Sequence, residues 1–262
     1  MSRSNEHRPL PAHLTDSAGT PWAGRHFEPS TASEDDGRAP AGLVAALDAF
    51  GDGARGAEAV IDALRSSRLL IPLVARLGEE GEGVERLRVD KTQELAMVTV
   101  AGPDGRTVLP AFSSIDAMRA WDASARPVPV DGRRAALAAV AEGTEVMVLD
   151  PGSAGEFAVR RPALWAIAEG GSWRPAAHDP EVLRVLRACT AGEPAVVSLD
   201  VRAGDAAQRL VGPELVVVLG LRPGLDQEAL AALVARLGAR WAADEIVAAR
   251  VDSMTLQLAV AR

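Results

Sequence analysis

The chain has no tyrosine, a single cysteine, a single lysine (Lys91) and an aromatic fraction of 3% over 262 residues. Each scarcity excludes something. One thiol, Cys189, rules out an internal disulfide framework and fits a reducing compartment. No apolar run approaches the ~20 residues needed to cross a bilayer, and no basic-then-apolar leader opens the chain. The expected location is the cytoplasm, with no membrane partner. Three of the four histidines (His7, His13, His26) lie in the first residues, far from His178, and none has metal-ligand spacing. There is no G-x-S-x-G elbow and no phosphate loop ending in Gly-Lys-Ser/Thr. The sequence therefore calls for no metal and no cofactor.

Basic charge is also in deficit. Asp and Glu number 36 against 28 Lys and Arg, a net charge of −8. An acidic surface argues against general nucleic-acid binding, because phosphate contacts need positive charge. The pairs Arg133-Arg134 and Arg160-Arg161 read as solvated helix or strand edges. Asp35-Asp36 and Glu79-Glu80 read as solvated loops.

What is present is ordinary globular material, 48% hydrophobic and 24% charged. Residues 1–40 are rich in Pro, Ser, Gly and charge, without apolar periodicity, and read as a disordered tail. Within it, Trp22 and Phe27 flank Arg25 and His26, the pattern of a short linear docking motif. Helices are expected over 43–50 and 57–67. Strands are expected at RLLIPLVARL (68–77), ELAMVTV (94–100) and RTVLPAF (106–112), the last two as a hairpin turned by Pro103-Asp104-Gly105, with an acidic loop over 78–85. A short helix follows, capped by Ser113 with Asp116 three residues on, and Met118 and Trp121 share its face.

ARPVPV (125–130) is extended because its prolines forbid helix. A helix from Asp131 to Glu142 stops at Gly143. EVMVLD and EFAVRR are strands, and Pro162 opens a helix closed by Gly170. GSWRPAAHDP (171–180) is a connector and a candidate boundary. Beyond it come a helix with Val182, Val185, Leu186 and Cys189 on one stripe, then PAVVSLDVRA as a half-exposed strand. ELVVVLGL is expected as a central strand. A helix with Leu230, Leu233 and Leu237 follows, and EIVAARVD and SMTLQLAV are read as the final strands.

The expected class is α+β. Two mixed sandwich-like domains, 41–175 and 176–262, stand behind the tail, and both halves are readable as a duplicated helix-strand-strand-helix-strand unit. GDGARG (51–56) fits a dinucleotide fingerprint, but an Ala-rich helix precedes it where a strand is required, so it is a linker. Cys189 sits near the end of its helix, where the partial negative charge disfavours thiolate, and is expected to be buried and structural.

LLIPLV, LAMVTV and DGRTVLPAFSSIDAMRAW, followed by ARPVPV, resemble the N-terminal domain of the SseB family. In that family a strand ends in a Pro-x-Phe-Thr/Ser-Ser step and a short helix carries a tryptophan. Pro110, Phe112, Ser113, Ser114 and Trp121 occupy those places. AALAAVAEG, VMVLDP and RPALWAIAEG resemble actinobacterial members. The similarity runs over about 57–170, and 194–262 is similar to the family's second domain. The resemblance implies no catalytic residues. For actinobacterial relatives it implies a gene lying near genes of translation initiation and ribosomal proteins, and it says nothing of oligomeric state.

Phe112 and Trp121 are expected to anchor a strand-to-helix corner. Phe112, Ser113, Ser114 and Trp121 are the candidate ligand- or partner-binding residues. The leading expectation is a non-catalytic interaction protein with an unknown, translation-linked protein partner. A small-molecule module for an amino-acid-like ligand between the domains is the alternative. An enzyme using Cys189 is the third.

Overall fold

A computed structural model describes residues 35–73 and 99–261. The Trp22–Phe27 motif, residues 1–34 of the tail and the acidic loop over 78–85 lie outside the described residues.

The first half is built from helices that cover one face of a sheet. Helices α1 (Ala41–Gly51) and α2 (Ala57–Arg65) are separated by the Gly-rich turn at 52–56, which is a linker between helices as expected. The chain is already fixed before α1. Gly37 has φ +72, and its carbonyl accepts from Ile115 N at 2.9 Å. A Cβ there would stand 2.3 Å from the Ile115 side chain, so only glycine fits the left-handed backbone and the close approach together.

Strand β1 (Arg68–Leu73) pairs antiparallel with β4 (Arg126–Asp131) in a two-stranded sheet. A second sheet has the order β2 (Val100–Ala101), β3 (Thr107–Ala111), β5 (Val146–Leu149), β6 (Phe157–Val159), with β3 and β5 parallel. Strand parity divides it. Leu109, Ala111, Met147, Leu149, Phe157 and Val159 face the main core. Helices α2, α4 (Gly132–Ala141) and α5 (Arg161–Glu169) close over them, with alanines at Ala135, Ala136, Ala139 and Ala163 allowing near approach. Val108, Val146, Val148 and Ala158 point to the opposite face.

The second half has its own core and a three-stranded sheet, β7 (Val196–Ala203), β8 (Leu215–Leu221), β9 (Met254–Val260). Strand β8 is central and apolar throughout, as its composition predicts. Helix α6 (Pro180–Thr190) precedes the sheet, and α7 (Gln227–Ala242) and α8 (Glu245–Arg250) connect β8 to β9. The pairing order repeats between halves. In each, an antiparallel hairpin (β2-β3, β7-β8) sends its second strand through helical connections to a parallel neighbour (β5, β9).

Two expectations are corrected. EIVAARVD is helical over Glu245–Arg250: Asp244 caps it, accepting from Ile246 N at 2.9 Å and Val247 N at 3.3 Å, and the alanines then favour helix over strand. Arg160 is not a solvated edge residue. It directly follows β6 at 2% exposure and is held by acids of the second half. Its guanidinium donates to Asp205 at 2.6 Å, to Asp252 at 3.0 Å and to the Gly212 carbonyl at 2.9 Å. Arg106, from the β2–β3 hairpin, forks onto the same Asp252 at 2.9 and 3.0 Å.

This network sets a pH dependence. Burial works to raise the Asp252 carboxyl, but Arg106 and Arg160 override it and hold it below its ordinary 3.8. A carboxyl depressed in the native state stabilises the fold above its unfolded pKa, and that contribution is lost as pH falls through the native value. Asp252→Asn is expected to cost about 3 kcal/mol near neutral pH, as for one partner lost from a buried pair. Urea unfolding of both proteins down a pH series checks it. The gap should narrow in acid, and a constant gap would show that shape rather than charge matters at this position.

Candidate functional site

The corner after β3 gathers the four residues singled out by sequence. Phe112 is fully buried, and its backbone exchanges two hydrogen bonds with Leu70 of β1, at 2.8 and 2.9 Å. These bonds join the two sheets of the first half. Ser113 is buried and does not cap the helix. Its N–H and hydroxyl both donate to the Asp150 carboxylate, at 2.8 and 2.6 Å. The cap is Ser114, whose Oγ accepts from Ala117 N at 3.1 Å. The physical reason is register: α3 (Ile115–Trp121) starts at Ile115, and a cap must stand immediately before it. Asp150 itself sits at φ +47, with its N–H donating to the Ala111 carbonyl at 2.8 Å. Burial pushes its carboxyl up, and the Ser113 bonds only partly offset that.

Trp121 ends α3 (Ile115–Trp121), half-buried, with its ring 5.3 Å from that of Phe112 at 45°. Together with Leu70, Met118 and Ala125 they form a small core of their own. Trp121 also lines a groove of about 220 Å³ on the sheet face turned away from the helices. Val108, Val148 and Ala158 contribute to that groove, with Pro110 and Pro151 beside them. So Trp121 both packs against the core and borders open space. Phe112 and Ser113 are enclosed and hold it in place.

The groove depends on a residue that the sequence reading missed. Leu210 comes from the loop between β7 and β8. It is 3% exposed, packs among Val108, Val146, Val148 and Ala158, and has φ +57. A leucine in the left-handed region costs about 1 kcal/mol or more. Asp205 offsets this strain by accepting from Arg209 N and Leu210 N, at 3.0 and 2.8 Å, while it also binds Arg160. The adjacent Gln208 carbonyl accepts from Ala158 N at 2.7 Å, closing the free edge of β6. Gly204, Gly212 and Pro213 around this loop were the signal available in the sequence.

Other candidate residues lie elsewhere. Cys189 is half-buried, less enclosed than expected. Burial and then Asp244 push its thiol up, against the opposing pull of Arg240. His178 is exposed in a single 3-10 turn, Ala176–His178. Among the described residues no cluster of three metal-ligating side chains occurs. A cavity of about 420 Å³ is lined by Trp173, Arg174, Asp179 and Arg250, with Asp179 and Arg250 paired at 3.0 Å. It lies between α5, the connector after it, α6 and α8. Among the described residues, no helix is long and apolar enough to cross a membrane.

The geometry thus defines an α+β protein whose distinctive element is a strand-to-helix corner presenting a tryptophan. The family model for the SseB protein N-terminal domain matches residues 43–166, so this part of the chain is similar to an SseB N-terminal domain. Comparison with curated proteins and with solved structures finds no match.

Substitutions separate the roles in the corner. Phe112→Ala is expected to cost about 3–5 kcal/mol, because a filled core site is emptied. Trp121→Ala, with a ring only half-buried, is expected to cost about 2 kcal/mol. Ser114→Ala should cost about 1 kcal/mol as a lost cap. Ser113→Ala should cost about 1–3 kcal/mol, since a buried carboxyl loses its hydroxyl donor and keeps the Ser113 N–H. Denaturant unfolding ranks the four. A Ser114 effect larger than that of Ser113 would reverse the assignment of cap and clamp.

Proposed function

We propose that the protein is a non-catalytic, cytoplasmic protein-interaction module whose SseB N-terminal domain receives an extended apolar segment of a partner protein along the Trp121 groove. The single observation behind this reading is Trp121, a large ring fixed from behind by Phe112 and left half-open on an apolar sheet face. A rigid aromatic with few rotamers is the residue type that carries binding energy at interfaces. At about 220 Å³ the groove falls below the usual range for a drug-sized ligand, and it suits one or two side chains of a peptide. The polar side chains beside it are already engaged: Glu156 accepts from Gly152 N at 2.7 Å, and Arg209 donates to the Ala154 carbonyl at 2.7 Å.

The net charge of −8 speaks against general nucleic-acid binding by this module. The resemblance of residues 57–170 to actinobacterial SseB members supports a partner linked to translation.

A second reading has its own support. The 420 Å³ cavity holding the Asp179–Arg250 pair is of small-molecule size, and Arg174 beside it is exposed. A zwitterionic amino acid fits such a pair.

Selection of displayed random peptides on the immobilised full chain tests the first reading. Enriched sequences should be apolar at two or three positions and should bind Trp121→Ala at least tenfold more weakly, a loss of about 1.4 kcal/mol. Equal binding to wild type and variant would refute the groove. Thermal shifts with the twenty amino acids, lost in Arg250→Ala and retained in Trp121→Ala, would establish the second reading instead.

A further inference from the structure

We infer that β9 is a homodimerisation edge, along which two copies of this chain pair antiparallel about Gln257 and join their three-stranded sheets into one. The argument starts from how the sheet edges are protected. Exposed strand edges recruit other strands unless they are short, charged, interrupted by proline or covered. Strand β2 has two residues. Strand β6 has three, and Ala158 N is taken by Gln208. Strand β1 contains Pro72, and β4 contains Pro127 and Pro129. Strand β7 carries Asp200 and Arg202. Strand β9 has none of these safeguards. It runs for seven residues, MTLQLAV, without a charge, a proline or a glycine, and among the described residues it pairs on one side only, with β8.

Its backbone is set up for a partner. Ala261 N donates to Leu221 O, and Ser253 O accepts from Leu215 N, so the odd-numbered residues turn their polar groups toward β8. Met254, Leu256, Leu258 and Val260 therefore turn theirs toward the open edge. The side chains of the same four residues share one face, the one carrying Met254 and Leu256 against the core. That face loses its cover along the strand. Leu258 is 41% exposed and Val260 is 70% exposed.

A second copy satisfies both sets of groups at once. With a two-fold axis at Gln257, Leu256 stands opposite the partner's Leu258, and Met254 opposite its Val260. Each such pair exchanges both backbone bonds, and each exposed side chain meets a better-buried one. On the other face Thr255 meets Ala259, and Gln257 meets itself across a non-bonded position. The strand itself brings no charged side chain to the pairing, and on the Thr255 face Gln257 accepts from Arg202 of β7 at 2.9 Å. The self-complementarity favours a copy of this chain over an unrelated strand, since it is isologous by construction.

Light scattering on the full chain after size exclusion should give the mass of a dimer. Leu258→Lys should shift it to a monomer with an unchanged circular dichroism spectrum, and Trp121→Ala should leave the dimer intact. The register is tested in a Cys189→Ser background. Gln257→Cys places two Cα atoms about 4.5 Å apart, within disulfide reach, so mild oxidation should cross-link it nearly completely. Thr255→Cys places them roughly 14 Å apart and should stay uncross-linked. Should Leu258→Lys fail to fold, the two cysteine variants decide alone. A wild-type protein that remains monomeric at all concentrations overturns the inference, as does equal cross-linking of the two variants.

Discussion

Arg160 is the charge around which the two halves are arranged. It directly follows β6, yet both of its acidic partners belong to the second half: Asp205 in the β7–β8 loop and Asp252 just before β9. Removing a guanidinium and two carboxylates from water is expensive, and the pairing repays it only when the geometry is good and the remaining polar groups are satisfied. Here the Gly212 carbonyl, Arg106 and Ser253 complete most of the set, leaving the Arg160 Nε–H buried without a partner among the described residues. Nearby, Glu214 accepts from Asp252 N at 2.6 Å, and burial pushes its carboxyl up. Its pH behaviour therefore opposes that of Asp252: it favours the fold in acid and loses that contribution as pH rises through its raised native value.

The corner at Phe112 follows a different logic. There, order is imposed by apolar contact and a single carboxylate rather than by opposed charges. Asp150 adopts a left-handed backbone that a non-glycine residue enters reluctantly, and in doing so it ties the end of β5 to the start of α3 through Ser113. The strain is local, and the surrounding bonds over-determine it. Its result is that Trp121 is delivered to a fixed place beside Val148 and Pro151, two elements distant in the chain.

Much of this was legible in the sequence because it is local. Asp131, Asp179 and Gly170 marked helix ends as caps do, Pro127 and Pro129 forced an extended segment, and the unbroken apolar run of β8 marked a central strand. The one-residue slip between Ser113 and Ser114 arose because two serines in succession offer the same cap, and only the distant Asp150 breaks the tie. EIVAARVD alternates little and carries β-branched residues, so periodicity alone could not show that Asp244 caps it. Arg160 looked solvated because neither Asp205 nor Asp252 is near it in the chain. Leu210 was invisible for a similar reason: its value lies in the Val108–Val148 face that it covers.

The wiring of Arg160 bears on how this chain could have been assembled. The stretch that matches the family, 43–166, contains the arginine but neither of its acids, and it contains the sheet face but not the leucine that covers it. The heritable module and the physically self-sufficient module therefore do not end at the same residue. A lineage that recombined the first stretch onto a different neighbour would inherit an unmet charge and a bare apolar surface. It would persist only where the new neighbour supplied an acid and a covering side chain at the same seam.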